Sequence, residues 1–191
     1  MKHSHHEHGK FSFKIMTFVL LVRDLFRSPY KVLSQVNLVR PGAYVLDYGC
    51  GPGSYSIASA QLVGHSGKVY AADNNPLAIQ AVERKAKRKE ISNIITLLTD
   101  SKIKLPDASV DVVLLSYVIH EFKEPDVVIR ELSRVIKPAG VLVIIDHKFS
   151  NEKIASIISR ASKELRFTST AVKLGSKRKR IMLTFSKEFT S

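Results

Sequence analysis

A single cysteine, Cys50, stands among 191 residues. One thiol excludes an intramolecular disulfide framework, a four-cysteine zinc site and a C-x-x-C redox pair. It points to a reducing, cytoplasmic home. Long hydrophobic runs are missing too. The longest apolar run of the leading segment is Phe18 to Val22, far short of the roughly 20 residues of a membrane-spanning helix. No small-residue cleavage site follows it, as a secretory signal would require. Internal repeats and low-complexity linkers are also lacking. With 45% apolar and 25% charged residues, the chain predicts one domain whose core needs neither disulfide nor structural metal.

Acidic residues are scarce at both ends. The chain carries 30 basic and 17 acidic residues, a net +13. Residues 1–40 contribute +5, residues 41–147 are neutral, and residues 148–191 contribute +8. Basic ends around a neutral middle suit an anionic partner, a nucleic acid or a lipid head group, or simply form a solvated surface. Residues 1–10 hold His3, His5, His6 and His8. Such a tract can bind metal, but a terminal tract rarely closes a site, and it is set aside as a tail. Phe11, Ile15, Phe18, Val22, Leu25 and Phe26 then recur at helical spacing, and Ser28-Pro29 stops the pattern. Residues 11–35 are therefore a helical cap, packed on the domain or closing over a site. Only Lys14, Arg23 and Arg27 are basic there, which argues less for an interfacial helix.

From Arg40 onward, strand, turn and helix repeat. Strands are predicted at Tyr44–Asp47, Val69–Ala72, Ile94–Thr99, Val110–Ser116 and Val141–Ile145. Helices are predicted at Ser54–Val63, from Asn75-Pro76 to about Lys89, from Pro125 until Pro138-Ala139-Gly140 ends it, and from Lys153 to about Arg160. Phe167–Leu174 and Ile181–Phe185 read as a closing hairpin. Five strands alternating with helices imply a doubly wound parallel sheet, and the hairpin makes it mixed.

The glycine loop after the first strand selects the ligand. A dinucleotide loop needs glycines at its first, third and sixth places. Here those places are Gly49, Gly51 and Ser54, and the spacing is G-x-G-x-G through Gly53. A Walker loop is excluded because no Gly-Lys-Ser/Thr follows. Asp47 precedes the loop, where a carboxylate repels a pyrophosphate but suits a cation. Asp73 ends the second strand, where a carboxylate can accept both hydroxyls of a ribose. A ligand with a ribose, a positive charge and no phosphate fits S-adenosylmethionine. Simple turn capping explains either aspartate alone, but less well the pair with the loop.

The segments VLDYGCGPG, VYAADNN, LLTDSKIKLPDASVDVVLLSYVIHEF and LSRVIKPAGVLVIIDH resemble a class I S-adenosylmethionine-dependent methyltransferase over about residues 36–150. The match is strongest to the small-molecule branch that includes quinone-biosynthesis enzymes. The resemblance implies a Rossmann-like, doubly wound mixed seven-stranded sheet of order 3-2-1-4-5-7-6 with strand seven antiparallel, and a methyltransferase domain over residues 36–191. It also implies roles by position. Gly49, Cys50 and Gly51 would lie against the methionine part of the cofactor and Asp47 near its amino group. Asp73 would bind the ribose, with Asn74 beside the adenine. Asp100 and Ser101 would meet the adenine edge, and Ser116 would contact the cofactor through its backbone. Cys50 is common at this place and reads as packing.

The acceptor is narrowed mainly by exclusion. Methyltransferases acting on exocyclic amino groups of bases carry an Asp/Asn/Ser-Pro-Pro-Tyr/Phe motif where this chain has Ser116-Tyr117-Val118-Ile119. Methylation at C5 of a pyrimidine needs a cysteine nucleophile, and arsenite methylation needs several thiols. A small molecule with an apolar or aromatic body remains favoured. An RNA or protein substrate held by the basic ends, or a non-catalytic cofactor-binding protein, are the competing readings. His120 and His147 follow neighbouring strands, so either can serve as a base. Glu121 and Asp146 would orient them, or the four would hold a metal, or the histidines are satisfied polar neighbours. The leading helix is expected to roof the acceptor with Phe11, Ile15, Phe18 and Val22, above Tyr117, His120 and His147.

Overall fold

The computed structural model describes residues 13–188, apart from 14, 16, 19, 21, 25, 27, 100, 101 and 172–180. The described residues between 13 and 26 are helical. After them come α1 (Pro29–Val36), β1 (Tyr44–Tyr48), α2 (Ser54–Val63), β2 (Lys68–Asp73), α3 (Pro76–Arg88), β3 (Ile94–Leu98) and β4 (Val110–Ser116). A short 3-10 turn, Ile119–Glu121, leads to α4 (Pro125–Val135), β5 (Ile136–Asp146), α5 (Asn151–Ala161), β6 (Leu165–Ala171) and β7 (Ile181–Lys187). No helix among the described residues is long and apolar enough to cross a membrane.

The strands form one seven-stranded sheet in the order β3-β2-β1-β4-β5-β7-β6. The first five are parallel, and β7 runs antiparallel to both β5 and β6. This is the expected order and direction. Burial alternates between two layers along the central strands because both faces are covered. Leu46, Val113, Leu115, Leu142 and Ile144 face the layer of α4 and α5. Val45, Val112, Leu114, Val143 and Ile145 face the layer of α1 and α2. Each such side chain contributes about 1.5–3 kcal/mol on burial, which is why these strands are nearly uninterrupted apolar runs.

Local signals place the helix ends. The Asn75 side chain accepts the Leu77 N–H at 2.9 Å, capping α3 ahead of Pro76. The Ser150 hydroxyl accepts the Lys153 N–H and opens α5 two residues earlier than expected. One boundary differs more. Pro138-Ala139-Gly140 does not end α4, which stops at Val135. Ile136 already pairs with Val110, and the register shifts before Val112 meets Val141. Ala139 takes a left-handed φ of 63° in that stretch. The three turn-forming residues thus make an irregularity within β5. Ser28-Pro29 breaks the leading segment as predicted, but Pro29 at once opens α1, whose Leu33 is fully buried.

A candidate cofactor and acceptor cleft

β1 lies between β2 and β4, so the chain leaves it in one direction and later returns on the other. Such a switch point opens a crevice beyond the strand ends. A cleft of about 880 Å3 lies there, near the upper end of the range of about 300–1,000 Å3 usual for small-ligand sites.

The glycine loop forms the floor. The N–H groups of Gly49 and Cys50 both donate to Ala72 O, at 2.8 and 3.0 Å, tying the loop to the end of β2. Gly49 has a φ of 72°, and a Cβ there would sit 2.5 Å from Val118 Cγ2, so no larger residue fits. A Cβ on Gly51 would meet no atom within 4 Å. Gly51 therefore lets a ligand approach the backbone.

Two carboxylates flank this floor. Asp47 is buried, and its Oδ2 accepts the Ser56 hydroxyl at 2.6 Å. Its Oδ1 is buried with no hydrogen-bond partner. Burial first, with the charge of Asp73 adding and the Ser56 bond opposing, pushes the Asp47 carboxyl from 3.8 up to about 7. A cationic group beside Oδ1 would satisfy the orphaned oxygen and restore the charge. Asp73 accepts the N–H of Gly51 at 2.9 Å on Oδ2 and that of Asn75 at 2.8 Å on Oδ1. Two amide donors fix the carboxylate and leave each oxygen a further lone pair for a diol. Asn74 lines the same end, and Ser116 lines the cleft with its hydroxyl buried and unpartnered. The residues present fit S-adenosylmethionine: an unpaired carboxylate for its amine, an open glycine backbone and a fixed carboxylate for its ribose. Cys50 is buried, and desolvation pushes its thiol up. Asp100 and Ser101 lie outside the described residues.

The other half of the cleft comes from β4, β5 and the leading helix. His120 and His147 both line it, with ring centroids 6.2 Å apart. The His120 ring is 6% exposed, and its Nδ1 lies 2.7 Å from Asp146 Oδ2. Asp146 Oδ1 accepts the backbone N–H groups of His147 and Lys148, each at 2.8 Å. Burial raises the Asp146 carboxyl. The His120 contact and these N–H groups outweigh that and hold it below its ordinary value. An ionised Asp146 accepts from Nδ1, so in the neutral ring Nε2 is the acceptor. Of the two carboxylates expected near the histidines, Asp146 is thus the orienting one. Glu121 is 3.7 Å from Nε2 and mostly solvated. Among the described residues, no group of three or more His, Cys, Asp or Glu is placed to hold a metal.

The expected roof is corrected. Ile15, Phe18 and Val22 point away from the domain and are exposed, and Phe11 lies outside the described residues. Phe13, Leu20 and Arg23 line the cleft instead. The Arg23 guanidinium sits 5.8 Å from the Tyr55 ring centre and 5.1 Å from that of Tyr117, paired with Asp24 at 2.6 Å. Tyr117 holds a left-handed φ of 59° at the end of β4, a strained geometry that turns its ring toward the cleft. Sequence reasoning missed the Arg23 clasp. The one signal was a lone arginine directly after the apolar run Phe18–Val22.

Comparison with known proteins agrees with this geometry. Residues 40–186 match the methyltransferase domain family. A solved S-adenosylmethionine-dependent methyltransferase from Aquifex aeolicus superposes with a TM-score of 0.76 at 30% identity, over 86% of this chain and 91% of that one. A demethylmenaquinone methyltransferase from a Geobacillus species is 31% identical over 109 residues, 56% of this chain and 47% of that protein. A ubiquinone/menaquinone biosynthesis C-methyltransferase from Paraburkholderia phytofirmans is 33% identical over 114 residues, 60% of this chain and 46% of that protein. The chain thus spans about half the length of these curated relatives. With the sheet order, the glycine loop, the orphaned Asp47 oxygen and a match over most of both chains to the Aquifex protein, the chain belongs to the S-adenosylmethionine-dependent methyltransferases.

Proposed function

We propose that this chain transfers a methyl group from S-adenosylmethionine to a small aromatic acceptor with an ionisable hydroxyl, of the quinol type, using His120 as the base. The observation that carries the reading is the His120–Asp146 pair within a cleft walled by Phe13, Leu20, Tyr117 and Phe122. The names of the curated relatives, which concern quinone biosynthesis, support the aromatic acceptor.

When bound, S-adenosylmethionine supplies an electrophilic methyl group on a sulfonium. The chain aligns and activates the partner. Asp47 and Asp73 would hold the cofactor, with the Gly51 backbone against it and Asn74 and Ser116 completing its bed. His120 Nε2 takes the hydroxyl proton, and Asp146 stabilises the imidazolium that results. His147, beside the Tyr117 ring at 5.5 Å, positions the acceptor. The apolar wall excludes water from the methyl path.

The test is turnover with a labelled methyl group across short-chain quinols, simple phenols and RNA. Label is expected in the quinols. His120→Ala and Asp146→Asn should each lower turnover about 100- to 10,000-fold with cofactor affinity within twofold of the parent. Label in RNA alone, or full turnover by His120→Ala, would overturn the proposal.

A further inference from the structure

The leading helix has two apolar faces, and the cleft accounts for one. Phe13 and Leu20 face the cleft with Arg23. At about 100° per residue, Ile15, Phe18, Val22 and Phe26 fall within roughly 80° of arc on the opposite side. All four are exposed, Phe18 at 65% and Phe26 at 84%. A helix with one apolar stripe is satisfied by packing on its domain, whereas a second stripe needs a second apolar phase.

The charges around the stripe select that phase. Lys85 of α3 experiences the charges of Asp24 and Arg23, which brings the basic end of α3 beside this helix. Arg84, Lys87, Arg88 and Lys89 are exposed there. The leading helix itself is poor in cations, so the head-group contacts fall to the basic end of α3. Exposed phenylalanines beside a cationic helix end match the interface of an anionic bilayer, where rings enter the acyl boundary and cations meet head groups. A second copy of the chain would oppose its own +13, which disfavours self-association through this face.

We propose that the outer face of the leading helix, Ile15, Phe18, Val22 and Phe26, docks on an anionic phospholipid bilayer, with the basic end of α3 over the head groups. The inner face of the same helix walls the cleft, so docking sets the cleft beside the membrane. A lipid-soluble acceptor then reaches His120 with little passage through water. That consequence rests on the proposed function, whereas the docking does not.

The full chain would be floated with vesicles of phosphatidylcholine and phosphatidylglycerol, and with phosphatidylcholine alone, at low and high salt. Binding to the anionic vesicles is expected, weakened by salt. The double substitution Phe18→Ser, Phe26→Ser should lower it at least about tenfold and leave cofactor affinity within twofold. No flotation with anionic vesicles, or binding that survives both substitutions, would overturn the proposal. So would a dimer in solution that the double substitution dissociates while vesicles go unbound, which would assign the stripe to a second copy. Flotation requires neither cofactor nor turnover, so failure of the methyltransferase reading and failure of docking are separately visible.

Discussion

Replacing Asp47 by asparagine is expected to remove a pH dependence from both stability and cofactor binding. In the ligand-free cleft the Asp47 carboxyl has been moved from 3.8 to about 7, chiefly by burial. The unfolded chain returns it to its ordinary value. Between those two values the native state holds a proton that the unfolded state has lost, so stability falls as pH rises through this window. A displacement of about three units at about 1.4 kcal/mol each gives an upper bound of about 4 kcal/mol. The side-chain amide of the Asp47→Asn variant cannot titrate, and its carbonyl oxygen still accepts the Ser56 hydroxyl. The unfolding free energy of the variant minus that of the parent, from urea melts without ligand, should therefore rise by up to about 4 kcal/mol from pH 4 to pH 8. Cofactor binding should show the opposite dependence. A cationic amine needs the carboxylate, so parent affinity should fall about tenfold per pH unit below about pH 7, while the variant binds weakly and without slope. A stability difference that is flat across this range would refute the buried, protonated carboxylate. Undiminished affinity in the variant would remove Asp47 from the site.

Gly49→Ala should destabilise the fold by about 2–4 kcal/mol, since a left-handed φ and an overpacked Val118 both act, measured by urea melts. Gly51→Val should lose cofactor affinity and cost about 1–2 kcal/mol of stability through its left-handed φ of 52°, less than Gly49→Ala because open space surrounds that Cβ; normal affinity by calorimetry would count against the loop. Asp73→Ala should weaken the cofactor more than about tenfold and also free the amides of Gly51 and Asn75, seen as faster hydrogen exchange at both. Deleting residues 1–27 should lower turnover far more than cofactor affinity, because Phe13, Leu20 and Arg23 adjoin the Tyr117 end of the cleft; equal loss of both would make the helix structural only.

The sheet was legible because its signals are local. Val110–Ser116 is apolar nearly throughout, Asn75-Pro76 carries its own cap, and the loop from Gly49 to Gly53 follows a strand and opens a helix. Asp47 and Asp73 were legible because each lies at the end of a strand next to that loop. The leading helix was not legible at the level of its faces. Its sequence is apolar nearly all round, so periodicity picks the strongest stripe and does not say which side is buried. Arg23 decided that, by lying against Tyr55 and Tyr117 from distant parts of the chain. The choice between Glu121 and Asp146 as partner of His120 was tertiary in the same way. Both adjoin a histidine in sequence, and only the β4–β5 register brings Asp146 to Nδ1.

The two halves of the cleft also differ in what holds them. On the glycine-loop side, the contacts are backbone amides, glycine geometry and carboxylates fixed by hydrogen-bond donors, all anchored to β1 and β2. Such a frame tolerates little change, because a Cβ at Gly49 already collides with Val118. The acceptor side is built from side chains of the leading helix, the β4–α4 connection and the end of β5. Substituting Phe13, Leu20, Phe122 or Val127 alters the volume and polarity of that side without touching the sheet. Acceptor choice can therefore diverge while the cofactor half stays fixed, so the loop and its aspartates identify a cofactor whereas the acceptor must be argued from His120, Asp146 and the apolar wall.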